Sequence, residues 1–136
     1  MSDKRVTVLL DTNVFVAAYW ARSSASARLI DACIRGDILA HYSADVKREV
    51  LYVLRTIKVR SAYIERIRCF WETGIEVQPV TVDVLIEDPD DRKFLEAALG
   101  GGTDFLVTND EHLLSIGYIG RTEILTSGSA ARLLGL

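Results

Sequence analysis

Two aspartates follow short apolar segments that have the pattern of buried β-strands. Asp11 comes directly after residues 5–10, and Asp110 comes directly after residues 105–109. In open α/β sheets, ligands bind at the carboxyl ends of the strands, so we expect both carboxylates to lie at one edge of a sheet. Either aspartate alone could simply cap a helix. Together they indicate a site for a cation or for acid–base chemistry.

A third carboxylate, Glu49, lies beside an apolar stripe of a predicted helix that begins after Ser43 and reaches about Val59. The predicted stripe consists of Val46, Val50, Val53 and Ile57. Its spacing places Glu49 at the margin of the buried face. A charge near the core is costly unless it is paired or binds a metal. Glu49 is therefore a candidate ligand, with a salt bridge to an arginine as the structural alternative.

The fourth candidate, Asp91, belongs to the acidic segment that starts a predicted helix at Asp88-Pro89. Acids in a first turn complement the helix dipole, so Asp88 at the N-cap and Asp91 three residues later also fit ordinary capping. The helix that follows is small and apolar enough to pack tightly on a sheet. Such packing would hold Asp91 close to the strand edge.

Four carboxylates from Asp11, Glu49, Asp91 and Asp110 would raise one another's pKa unless a cation lay among them. Ligands that are all oxygen favour a hard ion, Mg²⁺ or Mn²⁺, over zinc. The two histidines, His41 and His112, have no metal-ligand spacing and are predicted to be ordinary surface or loop residues. The pattern therefore predicts a site for a divalent cation that binds phosphate groups.

Strands and helices alternate along the chain, which predicts an α/β fold: a three-layer α/β/α sandwich around a central, mainly parallel sheet. The predicted strands are 5–10, 38–42, 75–77, 105–108 and 123–126. The predicted helices are 12–20, 23–35, 43–59, 61–74, 88–99 and 110–115, followed by a terminal helix capped by Ser127 or Ser129. Glycines 100–102 are predicted to end the helix that starts at Asp88.

The composition fits one globular domain over residues 1–136, since 49% of the residues are hydrophobic. Cys33 and Cys69 lie in apolar segments and are predicted to be buried thiols of a reducing, cytoplasmic compartment. No segment has the length and apolarity of a membrane span. Residues 22–68 carry ten Lys or Arg against five acids, although the whole chain has a net charge of −3. This asymmetry is compatible with a basic flank that attracts a polyanion beside an acidic pocket.

The order of four motifs resembles the PIN-domain family, and within it the small prokaryotic proteins grouped with VapC-type toxins. The motifs are V-L-L-D-T-N-V-F at 8–15, S-A-D-V-K-R-E-V at 43–50, D-P-D-D-R-K-F-L-E-A-A at 88–98 and F-L-V-T-N-D at 105–110. The resemblance covers essentially the whole chain. Of the crowded acids Asp88, Asp90 and Asp91, only Asp91 lies at the family's distance before Ala97-Ala98.

This resemblance implies an endoribonuclease that depends on Mg²⁺ or Mn²⁺, with Asp11, Glu49, Asp91 and Asp110 as the catalytic and metal-binding carboxylates. Asn13 and Thr108 match polar neighbours that orient those carboxylates. The resemblance also implies a toxin of a toxin–antitoxin module, with an RNA substrate, a cognate antitoxin and a homodimer. An apolar set in the helix 61–74 is a second reason to expect a dimer: Tyr63, Ile64, Ile67, Phe70 and Trp71.

Basic side chains near this site, Lys47, Arg48 and Arg22, are candidates for binding the RNA backbone. Four aromatic residues could stack on bases or belong to the core: Tyr19, Trp20, Tyr42 and Tyr63. A phosphatase with Asp11 as covalent nucleophile would need a second aspartate at position 13, where this chain has Asn13. The remaining alternative is a non-catalytic PIN-like module that binds RNA or protein.

Overall fold

A central sheet organises the computed structural model, which describes residues 3–83, 86 and 88–136. Within these ranges the strands follow the order β3-β2-β1-β4-β6-β5. Their bounds are β1 Thr7–Leu10, β2 Leu39–Tyr42, β3 Ile75–Glu76, β4 Phe105–Val107, β5 Tyr118–Ile119 and β6 Thr122–Leu125. Every neighbouring pair is parallel except β5 and β6. The predicted α/β class with a mainly parallel sheet is confirmed.

Helices flank this sheet, and most of them begin at a capping side chain. Their bounds are α1 Thr12–Trp20, α2 Ala25–Arg35, α3 Ala44–Thr56, α4 Ser61–Thr73, α5 Arg92–Gly101, α6 Glu111–Leu114 and α7 Ser127–Leu133. Ser24 and Ser43 each accept a backbone N–H three residues ahead, as an N-cap does. At α7 the cap is Thr126 rather than a serine, and α4 follows Arg60 without a side-chain cap. No helix of the described ranges has both the length and the apolarity needed to cross a bilayer.

The register of the two central strands brings the predicted strand ends together. Leu10 of β1 pairs with Val107 of β4, and the backbone N–H of Asp11 donates to the Val107 carbonyl at 3.0 Å. Asp11 and Thr108 therefore leave the sheet side by side. Both strands are buried, which fixes this edge within the hydrophobic core.

An aromatic cluster in the core corrects the sequence argument for a dimer. Ile67, Phe70 and Trp71 of α4 are buried within the chain itself, and the Phe70 ring lies 5.0 Å from the Phe15 ring. The apolar side chains of α4 thus stabilise this chain's own core. They give no separate reason to expect a second copy.

Helix α3 is shorter than predicted and buries a different stripe. It ends at Thr56 because Lys58 adopts a left-handed conformation with φ 58°. The buried positions are Val46, Val50 and Leu54, whereas Ile57 is exposed. Ile57 falls at the helix end, where the chain already turns away.

Glycines 100 and 101 do not end α5 as predicted; they lie within it. A Cβ on Gly100 would come within 1.8 Å of the Gln78 carbonyl oxygen, so the close approach of this segment requires glycine. Gly102, at φ 57°, ends the helix. A short 3₁₀ turn at Pro89–Asp91 precedes α5, which therefore begins later than predicted.

Three smaller expectations were wrong. The antiparallel strand β5 was not predicted, because it is only two residues long and lies directly before the turn at Gly120. Cys69 is exposed, since it points away from the buried face of α4, while Cys33 is buried as expected. His41 is buried on the central strand β2, where its Nδ1 lies 2.8 Å from the Thr103 hydroxyl.

Candidate metal centre at the carboxyl edge of the sheet

Asp11 is a buried carboxylate at the end of β1, with 3% of its surface exposed. Its Oδ1 accepts the backbone N–H of Asn13 at 2.7 Å, which caps α1, and its Oδ2 accepts the Thr108 hydroxyl. Burial raises the pKa of this carboxyl above its ordinary value, and the charge of Asp110 adds to the effect. The site therefore holds Asp11 in place at a cost to its charged form.

Thr108 connects the two strand-end aspartates. Its hydroxyl donates to Asp11 and accepts the backbone N–H of Asp110 at 3.0 Å. The Asp110 carboxylate in turn accepts the backbone N–H of His112 at 2.8 Å and caps α6. One fully buried hydroxyl thus orients both aspartates.

Asp91 is a second buried carboxyl at this edge. It lies in the 3₁₀ turn before α5, is 9% exposed, and its Oδ2 is buried without a hydrogen-bond partner among the described residues. Burial, followed by the charges of Asp110, Asp88 and Asp11, raises its pKa to about 6. An unpaired buried oxygen among like charges is unfavourable unless a cation is supplied.

The neighbouring acids of the 3₁₀ turn have a different position. Asp88 accepts the backbone N–H of Asp90 at 3.0 Å and thereby caps the turn, and both side chains are exposed. The capping interpretation therefore applies to Asp88. Asp91 is the buried member of the group.

Glu49 faces the same edge from α3, but it is paired. Its Oε1 accepts the Lys93 ammonium group at 2.8 Å, and its Oε2 accepts the Thr12 hydroxyl. The structural alternative considered an arginine partner, whereas the partner is a lysine two residues after Asp91. Sequence reasoning missed both Thr12, which follows Asp11 directly, and Lys93, which lies two residues after Asp91.

The residues present fit a hard divalent cation in their chemistry. The charge of Asp110 raises the pKa of both Asp11 and Asp91, and one Asp91 oxygen has no partner among the described residues. Carboxylate oxygens are the ligands that Mg²⁺ and Mn²⁺ prefer. Three or more His, Cys, Asp or Glu side chains already arranged around one point are not found in the described part of the chain.

The remaining predicted site residues lie around this edge or farther away. Asn13 is exposed and gives Asp11 its backbone N–H, a contact that does not need an asparagine side chain. Lys47 is half-buried, with its ammonium 5.8 Å from the Trp71 ring and 6.0 Å from the Tyr42 ring. Arg48 is exposed and pairs with Asp45 on its own helix.

A cavity of about 600 Å³ lies at the far end of α1, between α1, α2 and α4. It is lined by apolar and aromatic residues and by three arginines, among them Arg22. Trp20 at its rim is 69% exposed, and the ring of Tyr19 lies 4.8 Å from that of Trp20. Tyr42, in contrast, is buried against Trp71 and belongs to the core.

Comparison with known proteins agrees with this architecture. Residues 7–112 match the family model described as PIN domain. An uncharacterized protein of Methanocaldococcus jannaschii, MJ1680, is 22% identical over 122 residues, which span 85% of this chain and 78% of that protein. A chain in the crystal structure of VapBC2 from Rickettsia felis, bound to a DNA fragment from their promoter, superposes with a TM-score of 0.61 at 14% identity over 89% of this chain and 98% of that one. The family match covers most of the chain and includes all four candidate carboxylates, and the chain therefore belongs to the PIN-domain family.

Proposed function

We propose that this protein is an endoribonuclease that depends on Mg²⁺ or Mn²⁺ and hydrolyses RNA phosphodiester bonds. The observation that carries the proposal is the buried Asp91 carboxylate, whose Oδ2 has no partner among the described residues, beside the buried Asp11. Structural acids are normally paired, and perturbed carboxyls in a cluster are typical of functional sites. Membership of the PIN-domain family supports nuclease activity in general.

Asp11 and Asp91 would hold the cation directly, and Asp110 and Glu49 would contact it directly or through water. A bound Mg²⁺ or Mn²⁺ would supply a more acidic water and offset the negative charge of the phosphate oxygens. Thr108 and Thr12 keep the carboxylates in position through their hydroxyl groups. Asn13 contributes a backbone N–H that fixes the Asp11 rotamer.

Single-stranded or looped RNA is the proposed substrate. Asp11 and Asp91 are recessed, so an unstacked nucleotide can reach them more easily than a rigid duplex. Lys47 and Arg48 lie near the start of α3, which begins just after the carboxyl end of β2, and would contact backbone phosphates.

The direct experiment is cleavage of a labelled single-stranded RNA with Mn²⁺ or Mg²⁺, with EDTA, and with metal restored after EDTA. We expect cleavage that stops on chelation, returns with metal, and is lost in Asp11→Asn. Asp104→Asn, which changes an acid at the opposite end of the same strands, is the matched control and should still cleave. Cleavage by Asp11→Asn at the parent rate would contradict the proposal. RNA binding that persists through chelation and through Asp11→Asn, without any cleavage, would favour the non-catalytic binding module.

We also propose that the protein is the toxin of a toxin–antitoxin pair and acts in the cytoplasm. The Rickettsia felis structure is described as VapBC2. In this chain, the cavity between α1, α2 and α4 combines an apolar floor with Arg22, Arg60 and Arg66, against one acid, Asp31. A segment of a partner protein with aliphatic and acidic side chains fits that lining. Co-expression with the adjacent reading frame tests this: a stable complex that Trp20→Ala weakens is expected, and an isolated gene would count against the toxin role.

Homodimerisation is proposed on the family resemblance alone. Sedimentation at micromolar concentration tests it, and a monomer would contradict it.

A further inference from the structure

Lys93 is a cation that the chain itself supplies to the carboxylate edge. Its ammonium group lies 2.8 Å from Glu49 Oε1, and the two side chains are 26% and 23% exposed. The pair is therefore shielded more than an exposed ion pair on the helix surface such as Arg68 with Glu65, at 62% and 65%. A shielded pair interacts more strongly than an exposed one, because less solvent screens it.

The pair also spans the elements that build the edge. Glu49 on α3 accepts the hydroxyl of Thr12, which follows Asp11, and Lys93 follows Asp91 by two residues on α5. Glu49 is thus held between the segments that carry the two most buried aspartates. Its two carboxylate oxygens each have a protein partner, whereas Asp91 Oδ2 has none among the described residues.

We propose that Lys93 is an internal counter-ion of the carboxylate edge, which neutralises Glu49 when no metal is bound and competes with the divalent cation for that carboxylate. This inference rests on the proposed function, because it assumes a cation among these acids. Two physical effects predict that Lys93 weakens binding of the divalent cation. A positive charge beside the site repels a dication, and the Lys93 contact occupies an oxygen that the dication would otherwise use.

Calorimetric titration of the chelator-treated protein with Mn²⁺ at low ionic strength tests the proposal. Lys93→Met is expected to bind Mn²⁺ about tenfold more tightly than the parent, the effect of removing one nearby unit charge. Lys93→Arg should stay close to the parent, since it keeps the charge. Lys58→Met is the matched control, because it removes the same charge from an exposed residue beyond the end of α3. It should bind as the parent does.

A double-mutant cycle with Glu49→Gln shows whether the effect passes through Glu49. In that background, Lys93→Met should tighten Mn²⁺ binding by less than about threefold, because competition for the carboxylate is gone. An equal gain in both backgrounds would overturn the proposal, and so would a Lys93→Met protein that binds Mn²⁺ no more tightly than the parent. Thermal unfolding in EDTA verifies that each variant folds, and Lys93→Gln replaces Lys93→Met if the latter does not.

The same titration separates this inference from the proposed function. If the parent binds no Mn²⁺, or if Asp91→Asn leaves Mn²⁺ affinity unchanged, the metal centre itself is wrong and Lys93 has no such role. If Asp91→Asn abolishes binding while Lys93→Met matches the parent, only the role of Lys93 is wrong.

Discussion

Aspartates lie at both ends of the paired strands β1 and β4, and their hydrogen-bond partners differ between the two ends. At the amino end, Asp104 Oδ2 accepts the backbone N–H of Thr7 at 2.9 Å and the Thr7 hydroxyl at 3.1 Å, and Oδ1 accepts the guanidinium of Arg121. At the carboxyl end, Asp11 is buried near other acids, and the buried Asp91 Oδ2 has no partner in the part of the chain that the structure describes.

This difference indicates that Asp104 stabilises the fold, whereas Asp11 and Asp91 are available to bind a ligand. The partners of Asp104 satisfy its charge, so this acid ties two strands together. At the carboxyl edge, burial and the charges of neighbouring aspartates raise the pKa values of Asp11 and Asp91, so the charged forms of these two acids oppose folding in the absence of a cation. Position at a strand end does not distinguish a structural acid from one that is available to bind a ligand, whereas the hydrogen-bond partners of the acid do.

The largest expected effect comes from exchanging one acid at each end for its amide. Asp11→Asn should lower the rate of RNA cleavage by about a hundredfold or more, because a direct ligand is lost, while the melting temperature in EDTA stays the same or rises. Asparagine still caps α1 and removes a repelling charge. Asp104→Asn should keep cleavage and cost about 1 to 3 kcal/mol of unfolding free energy. Loss of stability in Asp11→Asn without loss of cleavage would reverse the assignment of the two ends.

The pH dependence of stability sharpens the comparison. Because the pKa of Asp91 is raised to about 6 in the folded protein, the folded state binds this proton more tightly than the unfolded chain does. Asp91 therefore opposes folding at neutral pH, and its contribution to stability should improve as the pH falls from about 7 to about 4. The melting temperature of the metal-free parent should rise over this window relative to that of Asp91→Asn. Parallel curves for the two proteins would show that Asp91 is not perturbed.

A smaller effect is expected from the two threonines that hold the acids. Thr108→Val removes the hydroxyl that joins Asp11 to Asp110, so kcat should fall by about ten- to a hundredfold with little change in KM. Thr7→Val removes the matching hydroxyl at Asp104 and should cost about 1 kcal/mol of stability with kcat unchanged. Steady-state kinetics and urea unfolding measure both variants. Equal losses of kcat in the two would remove the distinction between the ends.

The smallest expected effect concerns RNA affinity. Lys47→Ala, near the carboxyl edge, should weaken binding of single-stranded RNA severalfold and reduce the slope of log affinity against log salt by about 0.7, the loss of one phosphate contact. Arg121→Ala, at the amino end, removes one charge as well and should leave that slope unchanged. Fluorescence anisotropy at several salt concentrations measures both. A greater loss in Arg121→Ala would place the RNA at the other end of the sheet.

The sequence predicted the alternation of strands and helices because the apolar periods and the caps are local signals. Helix α1 has the predicted bounds, and Ser24 and Ser43 cap α2 and α3. The prediction for the end of α5 was wrong because Gly100 is required by the close approach of the Gln78 carbonyl, a contact with a distant segment that no local sequence pattern reveals. The prediction that His41 is a surface or loop residue was wrong for a similar reason, because its burial on β2 depends on the order of the strands in the sheet.

The candidate acids could be found from sequence because strand ends and helix starts are readable. Their partners could not, since hydrogen bonds such as that from Thr12 to Glu49 join residues 37 positions apart. Lys93 illustrates this limit: it lies only two residues after a predicted acid, Asp91, but its contact with Glu49 depends on how α3 packs beside α5.

The proposed metal centre can be tested by anomalous diffraction from crystals grown with Mn²⁺. We expect a manganese peak at the carboxyl edge of the sheet, with carboxylate oxygens of Asp11 and Asp91 about 2.2 Å from it. Such crystals with no peak there, or with manganese bound only at other acids such as Asp104, would contradict it.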